Sequence, residues 1–388
     1  MKVKIENSLK RKALVSIGVS LLLTGIVNTG ASELTVSEPE GTEPVILIDK
    51  DNPESADGNE TAAAGEDVIP YWTEDSAVME SIVSFVNDAS DEDSEGFVPE
   101  EDRIAVFDFD GTLFGELFPA YFDHCLLLHR VLYDESYEPS EEMKAYALEM
   151  EDAMLNRTKL PKGSANYIAE AFKGMTVEEY RTYVNEMMSE PVWGFEGMNY
   201  GEGFYKPMIS LVQYLAEHDF TVFISSGSER NMIRELIAGT LDEWIPSWHI
   251  IGSDYTLTSP EQGDTADRDF DYGTNDTVIM EGTPASKNLM AGKVYHIISE
   301  IGKPPVLVFG NSSGDLAMAA YAVQNGGKGY MLLCDDTERD YGNPEVAASF
   351  AETCEERGFE TVSMKNDFAT IYGEDIYLSE EEVLEPAA

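Results

Sequence analysis

The sequence predicts an α/β protein, a doubly wound (Rossmann-like) parallel sheet with a long helical insert. Three observations predict it. Short apolar runs, typical of buried parallel strands, alternate with segments of helical periodicity. The runs at 104–107, 220–225 and 305–309 each end in polar and glycine residues, as strands do at the ligand-binding edge of an open α/β sheet. A long stretch of helical character separates the first run from the second.

The chain is strongly acidic. Its 388 residues include 74 Asp and Glu against 25 Lys and Arg, which gives a formal net charge of −49. Because phosphate groups would be repelled, this charge argues against nucleic acid or an anionic membrane as the main partner. It leaves a small phosphorylated substrate open, since a local site can invert the global field. Three cysteines in a chain of this length exclude a disulfide-stapled scaffold.

The first 31 residues predict a signal peptide. Five basic residues precede an uncharged apolar stretch at 13–27, and small residues follow it. The apolar stretch is shorter than the roughly 20 residues that a membrane-spanning helix needs. We therefore expect a secreted protein with no stable membrane span after cleavage. An uncleaved N-terminal anchor is the alternative.

The domain organisation follows from composition and periodicity. Residues 32–68 are acidic and rich in small polar residues, which predicts a disordered linker, or alternatively an acidic tether for cations. The α/β core is expected at 69–114 and 207–388, beginning with a helix at about 75–88. A helical insert is expected at 115–206, and a second insert or loop within the core at 254–287.

The first chemical motif follows the predicted strand 104–107. Asp108 and Asp110 alternate with one apolar residue, and Gly111 and Thr112 then make a turn. Two carboxylates so close repel each other unless a cation lies between them, which implies a hard cation such as Mg²⁺. The pair also offers a nucleophile and a separate acid/base. The run DFDGTLF resembles the first motif of the haloacid dehalogenase (HAD) superfamily of phosphohydrolases.

The second motif of that family is a Ser or Thr at a strand end. Here a predicted helix at 207–218 leads into a predicted strand at 220–225, and Ser226-Gly227-Ser228 follows. Ser226 fits best because Gly227 and Ser228 would then open the next helix, and Ser225 is the alternative. Arg230 is a candidate contact for a substrate anion, or else a surface residue in the first turn of that helix.

The remaining two motifs lie near the third apolar run. The resemblance makes Asp315 a metal ligand in the fourth motif, GNSSGD, and places Asn311 where the family carries an acidic residue. An amide can still hydrogen-bond a metal-bound water. The third motif is a Lys or Arg ahead of the fourth, and Lys293, near the start of a predicted helix that ends at Gly302, suits the spacing. Lys287 is the alternative.

The resemblance implies a mechanism. Asp108 would attack phosphorus and form an aspartyl-phosphate, and Asp110 would protonate the leaving alcohol and then activate water. Phosphatases and phosphomutases of the family carry an Asp two residues after the nucleophile. Mg²⁺ would be held by Asp108, the Asp110 backbone carbonyl and Asp315. Lys293, Ser226, Thr112 and nearby N–H groups would stabilise the charge of the transferred group.

The resemblance implies that the helical insert at 115–206 is the helical cap domain of the family, which closes over the site and selects the substrate. The sequence predicts cap helices from Glu116 to Tyr133, from Pro139 onward and from a capping box at Thr176. Glu116 lies near the position where phosphoserine phosphatase-like relatives contact a substrate amino group, and a solvated Glu at a helix start is its alternative. Aromatic residues are dense here, and they predict either the core of the cap or a cage for a cationic head group such as choline.

Two alternatives concern the function of the whole chain. The first is a non-catalytic HAD-like protein that binds phosphate or metal, which the Asn311 departure and the long acidic arm favour. The second is a phosphomutase, which shares these motifs. A separate alternative concerns the acidic segment 267–273, which resembles a calcium loop but lacks its glutamate and has its glycine one place late, so a solvated loop is the better prediction. Cys334 and Cys354 are candidates for a disulfide or for buried thiols.

Overall fold

The computed structural model describes residues 69–116, 121–156 and 158–379. The predicted signal peptide at 1–31 and the predicted linker at 32–68 lie outside the described residues. Within the described ranges, no helix is both long enough and apolar enough to cross a membrane.

A seven-stranded sheet organises the protein, in the spatial order β5-β4-β3-β1-β6-β7-β8. All neighbouring strands are parallel except β4 and β5. The sheet strands are β1 (Ile104–Phe107), β3 (Thr221–Glu229), β4 (Ile250–Thr258), β5 (Ile279–Ser286), β6 (Leu307–Gly310), β7 (Lys328–Leu333) and β8 (Glu360–Ser363). Strands β2 (Phe195–Glu196) and β9 (Tyr377–Leu378) pair separately. Because β3 and β6 flank β1, the carboxyl ends of these three strands meet at one edge.

Helices precede, separate and follow the strands. They are α1 (Ala77–Ser90), α2 (Phe122–Leu128), α3 (Glu141–Leu155), α4 (Ser164–Ala171), α5 (Val177–Met188), α6 (Lys206–Glu217), α7 (Arg230–Leu236), α8 (Ala291–His296), α9 (Leu316–Gln324), α10 (Pro344–Arg357) and α11 (Met364–Asp367). One π-helical turn extends α2 to Tyr133, and another extends α8 to Ile301. The second of these turns ends at Gly302, whose φ of 79° is the left-handed conformation expected there.

Both faces of the sheet are covered, as β1 shows. Its four residues are buried, and successive side chains enter different apolar clusters. Ala105 and Phe107 belong to the larger cluster, whereas Ile104 and Val106 pack with residues of β6, β7 and α9. Since alternate residues of a strand point to opposite faces, apolar layers lie on both sides of the sheet. The predicted doubly wound α/β fold is confirmed.

One strand is longer than the sequence indicated. β3 continues through Ser226, Gly227 and Ser228 to Glu229, and α7 begins only at Arg230. The prediction that Gly227 and Ser228 open the helix was therefore wrong. The physical reason is the cap residue: the Glu229 side chain accepts the Met232 N–H, so the helix begins one residue later.

The segment between β1 and α6 is helical, with α2–α5 in order. Ser140 caps α3, and Thr176 forms the predicted capping box of α5 with Glu179. The first helix starts later than predicted, because α2 begins at Phe122 rather than at Glu116. Residues 117–120, which include Pro119, lie outside the described residues.

The segment 254–287 is less irregular than an inserted loop. Its two ends lie in β4 and β5, which form an antiparallel pair, and β5 extends the sheet beside the helical segment. The Gly174 N–H donates to the Met280 carbonyl at 2.9 Å, and the Met280 N–H donates to the Met175 carbonyl at 2.8 Å.

The acidic part of this segment, 267–273, is almost wholly exposed. No group of three or more His, Cys, Asp or Glu side chains within the described ranges is arranged to hold a metal ion. Cys125, Cys334 and Cys354 form no disulfide, so Cys334 and Cys354 are not paired with each other.

Candidate active site

A tight turn presents the two aspartates of the first motif. Beyond β1, the Asp108 N–H donates to the Phe309 carbonyl at 2.8 Å, and Gly111 N–H donates to Phe114 at 2.6 Å. Gly111 has a φ of 75°, where L side chains are strained. A Cβ at this position would also collide with the side chains of Asn311 and Glu116. The sequence therefore needs glycine here to aim Asp108 and Asp110 at the same edge of the sheet.

Lys293 joins the first and fourth motifs. Its Nζ lies 2.5 Å from Asp108 Oδ1 and 2.5 Å from Asp315 Oδ1, and all three side chains are buried. The second oxygen of Asp315 accepts three hydrogen bonds, each 3.1 Å long, from Asn311 N–H, Ser312 N–H and the Ser312 hydroxyl. An ammonium between two buried carboxylates neutralises much of their mutual repulsion.

The second motif faces Asp110. Asp110 Oδ2 accepts a 2.6 Å hydrogen bond from the Ser228 hydroxyl and lies 3.4 Å from the Ser226 hydroxyl. The hydroxyl of Ser225, the alternative to Ser226, instead accepts a hydrogen bond from the side-chain amide of Asn288. Sequence reasoning did not single out Ser228. Had the strand been extended to Glu229, the two-residue period would have placed Ser226 and Ser228 on one face.

Glu116 also lies at the site. Its Oε1 accepts a 2.7 Å hydrogen bond from the Asn311 amide.

Gly227 lies in β3, and a Cβ there would collide with Leu289, so glycine lets the loop before α8 approach the strand closely. Gly227 is thus in place beside the phosphate-binding candidates, although its carbonyl is already held by the Ser253 hydroxyl at 2.7 Å.

Arg230 is not brought into this group. Its guanidinium makes four hydrogen bonds of 2.8–3.1 Å with the carboxylates of Asp254 and Glu300. Two bidentate partners use most of its five N–H donors. The proposed substrate contact of Arg230 gains no support from these bonds, and its observed part is to join α7 to β4 and to the turn after α8.

Burial shifts the pKa of the acidic groups upward. Burial and then Asp315 raise the pKa of Asp108 to about 7, against the opposing effect of Lys293. Burial raises the pKa of Asp110 to about 7, although the Ser228 hydrogen bond opposes it. Burial followed by the charges of Asp110 and Asp108 raises the pKa of Glu116 to about 8. Burial alone would lower the pKa of Lys293, but Asp108 and Asp315 outweigh it and raise the pKa to about 12.

Three buried polar atoms of the motif residues have no hydrogen-bond partner within the described part of the chain. They are Asp110 Oδ1, Thr112 Oγ1 and Asn311 Oδ1. An unpaired buried polar atom costs about 1–3 kcal/mol. Such atoms are therefore expected where a ligand supplies the missing partner.

Three aromatic residues between β1 and α6 pack as core. Phe114, Phe122 and Phe195 are each at most 8% exposed. The Phe114 ring stacks on Phe109 with centroids 5.3 Å apart, and the Phe195 ring meets Tyr372 edge-on at 5.3 Å. Burial and ring packing favour the core interpretation for these three residues, whereas Tyr121 is 38% exposed. Phe118 lies outside the described residues.

No family model matches the sequence, and the comparison with curated proteins gives no match. Solved structures that resemble the chain include a conserved protein of unknown function from Anaerococcus prevotii DSM 20548, with 14% identity, 74% of this chain and 91% of the other covered, and a TM-score of 0.46. Cytosolic 5'-nucleotidase IIIB bound to cytidine has 12% identity, coverages of 74% and 84%, and a TM-score of 0.42. A phosphoserine phosphohydrolase-like protein from Francisella tularensis subsp. tularensis SCHU S4 has 14% identity, coverages of 64% and 92%, and a TM-score of 0.32.

Proposed function

We propose that the chain is an exported phosphohydrolase of the HAD type, which hydrolyses a small phosphomonoester through an aspartyl-phosphate intermediate. The observation that carries this proposal is the meeting of Asp108, Lys293 and Asp315 within hydrogen-bond distance at the carboxyl edge of the sheet. Asp108 and Lys293 are 185 positions apart in the chain, and Lys293 and Asp315 are 22 positions apart. Each of the three residues belongs to a different motif of the resemblance.

Asp108 is the proposed nucleophile. Its Oδ1 is held by Lys293, and in-line attack would form a bond from the carboxylate to phosphorus while the bond to the leaving oxygen breaks. Positive charge on Lys293 would stabilise the equatorial oxygens of the transferred group. The Thr112 hydroxyl, which has no partner among the described residues, and the Ser226 hydroxyl would add donors.

Asp110 is the proposed general acid and base. A pKa raised to about 7 by burial keeps a proton available near neutral pH, where it can be given to the leaving alcohol. The resulting carboxylate would then take a proton from the water that attacks the aspartyl-phosphate. Ser228, and more weakly Ser226, hold one carboxyl oxygen of Asp110 and leave Oδ1 free to face the leaving group.

A hard divalent cation fits the residues present. Asp108, Asp315, the free Asn311 amide oxygen and the Asp110 backbone carbonyl form an oxygen-only donor set, which is the kind that Mg²⁺ prefers. When bound, Mg²⁺ would screen the repulsion between the carboxylates and the phosphate dianion. The set contains fewer than three acidic ligands, because Asn311 stands at an acidic position of the motif. We therefore expect weaker metal binding than a third carboxylate would give.

The substrate is proposed to be small and phosphorylated. Helices α2–α5 follow the first motif directly, and Glu116 at the start of that segment contacts Asn311 of the fourth motif. A group in this place can touch the leaving alcohol, so Glu116 is the proposed substrate contact on the cap side. Export remains a proposal that rests on the first 31 residues, and the net charge disfavours nucleic acid as a partner.

A second function, phosphate or metal binding without turnover, is favoured by one observation. Asn311 donates to Glu116 and has no charge to offer a cation. An assay of residues 32–388 on p-nitrophenyl phosphate, with Mg²⁺ or with EDTA, separates the two. Hydrolysis that EDTA abolishes and Mg²⁺ restores supports the enzyme. Val86→Ala, a core change on α1 beside β8, is the control and should show the same dependence on Mg²⁺. Absence of hydrolysis together with saturable binding of inorganic phosphate would support the binding protein.

A further inference from the structure

Asn288 lies fully buried in the loop between β5 and α8, five residues before Lys293. Its side-chain amide nitrogen reaches three acceptors, namely Ser225 Oγ at 3.0 Å, the Ser226 carbonyl at 3.1 Å and the Ile251 carbonyl at 3.2 Å. Its backbone N–H donates to the Ser253 hydroxyl, which in turn donates to the Gly227 carbonyl. One residue therefore joins the loop before α8 to both β3 and β4.

The orientation of this amide is determined by its partners. Two of the groups around the nitrogen are carbonyl oxygens, which only accept, so the NH₂ group must face them. The amide oxygen then faces His296 Nδ1 at 2.9 Å, and that nitrogen must carry the hydrogen. His296 lies on α8, the helix that carries Lys293, so the hydrogen bond between Asn288 and His296 joins the network to that helix.

The loop that this network holds is strained. Met290, between Asn288 and Lys293, has a φ of 55° and a ψ of −126°, a conformation that side-chain-bearing residues rarely adopt. Such backbone strain costs about 1–3 kcal/mol and persists only where surrounding contacts over-determine it. The Met290 carbonyl also accepts the Lys293 N–H at 3.2 Å. The strained residue is thus joined to Lys293 by a backbone hydrogen bond.

We propose that Asn288 is a positioning residue for the phosphohydrolase reaction, with His296 as its orienting partner. It acts through Lys293 and Ser226. By tying the strained loop to β3 and β4, it sets the place of the Lys293 ammonium against Asp108 and the place of Ser226, on β3, against Asp110. This inference rests on the proposed function. Because a displacement of about 1 Å can cost about 100-fold in rate, loss of the network should reduce turnover more than ground-state binding.

The test compares Asn288→Asp, His296→Leu and Val86→Ala with the wild-type protein. Asn288→Asp keeps the side-chain size and replaces the donating NH₂ by an oxygen that faces two carbonyls. His296→Leu removes only the group that orients the amide, and it serves as the milder variant if Asn288→Asp does not fold. Val86→Ala makes a cavity on the buried face of α1, a helix that packs beside β8, three strands away from β1, and it controls for lost stability.

We expect kcat and kcat/KM for p-nitrophenyl phosphate to fall together by roughly 10- to 100-fold in Asn288→Asp and by a smaller factor in His296→Leu. KM of these two variants should change by less than about threefold. Val86→Ala should keep the wild-type turnover even where its Tm falls as much as theirs. Turnover that falls equally in Val86→Ala, or that stays at the wild-type level in folded Asn288→Asp or in His296→Leu, would overturn the inference.

A second readout needs no substrate and separates this inference from the proposed function. Amide hydrogen exchange, followed by mass spectrometry, should accelerate selectively at 287–296 in Asn288→Asp and His296→Leu, and not in Val86→Ala. If the wild-type protein hydrolyses nothing, the proposed function fails and the exchange data alone decide whether Asn288 holds the loop. Unchanged exchange at 287–296 would refute that role.

Discussion

Glu229 is a buried carboxyl group that caps a helix, and its ionisation lowers the stability of the folded protein. It is 3% exposed at the end of β3, and it accepts hydrogen bonds from the Met232 N–H at 2.7 Å and from the Asn231 side chain at 2.9 Å. Burial raises its pKa from 4.5 to about 7, because the hydrogen bonds to Asn231 and Met232 do not offset the loss of water. The folded protein therefore binds this proton more tightly than the unfolded chain does.

The contribution of Glu229 to the free energy of unfolding should thus be largest below about pH 4.5 and should decline as the pH rises to about 7. The difference over that window is up to about 3 kcal/mol. Gln at this position keeps the accepting oxygen and cannot ionise. We expect Glu229→Gln to gain stability relative to wild type as the pH is raised from 4.5 to 7, measured by urea unfolding at several pH values.

The matched control is Glu80→Gln on the exposed side of α1. Asp108, Asp110 and Glu116 contribute to the pH slope with the same sign, but they are present in every protein compared, so the difference between variants isolates Glu229. A Glu229→Gln profile parallel to that of Glu80→Gln would show that Glu229 titrates at its ordinary pKa.

At the scale of an element, the turn after β1 decides whether the aspartates meet their partners. Gly111 has a φ of 75°, and an added Cβ would overlap the Asn311 and Glu116 side chains. We expect Gly111→Ala to lose stability beyond the roughly 1 kcal/mol of a strained φ and to lose most hydrolysis, because Asn311 and Glu116 must move. Urea unfolding and the p-nitrophenyl phosphate assay measure the two effects.

Gly239 provides the matched control for this turn. Its φ of 78° is almost the same, but no atom lies within 4 Å of an added Cβ. Gly239→Ala should therefore show the backbone cost alone and keep wild-type turnover. Equal effects of the two substitutions would contradict the idea that the turn is packed against the fourth motif.

The motif-bearing elements were predictable because their chemistry is local. Buried apolar runs that end in Asp, Ser or Gly mark strand ends, and the structure brings Asp108, Asp110, Ser226, Lys293 and Asp315 together as residues of one edge. Ser228 was not predicted as a site residue, and the reason is physical. The length of β3 depends on pairing with β4 and on the Glu229 cap, and these are tertiary facts that a strand pattern does not contain.

Asn288 shows a second limit. A single Asn in a loop carries no periodicity, and its importance comes from acceptors 35 to 63 positions away in the chain. The β4–β5 pair is similar, because its polar, glycine-containing sequence resembles a loop, while β4 pairs with β3 in the sheet and its partner β5 packs against the helical segment. Contacts of this kind can be recognised only once the fold is known.

At the scale of the whole molecule, the formal net charge of −49 has the same sign as the dianion that the site is proposed to bind. Negative charge at long range should slow the approach of substrate, and salt should weaken that repulsion, since the Debye length falls from about 30 Å at 0.01 M to about 10 Å at 0.1 M. We therefore expect kcat/KM for p-nitrophenyl phosphate to rise between these two NaCl concentrations at fixed Mg²⁺, while kcat stays nearly constant.

The control for this prediction is the choice of salt. Tetramethylammonium chloride at equal ionic strength should act as NaCl does, because screening does not depend on the cation. A kcat/KM that falls steadily with either salt would show that the local field of Lys293 and the bound cation, rather than the global charge, governs substrate approach.

The central claim is that Asp108 becomes phosphorylated, and trapping that phosphoryl group tests it most directly. Asp110→Asn should still accept a phosphoryl group from p-nitrophenyl phosphate, whose leaving group needs little protonation, but should hydrolyse the intermediate slowly. Acid quenching followed by peptide mass spectrometry locates the adduct.

We predict one added phosphoryl group on the peptide containing Asp108, absent when Asp108→Asn is introduced into the same protein. An adduct on another residue, or hydrolysis that continues at the wild-type rate in Asp108→Asn, would contradict the assignment of Asp108 as the nucleophile.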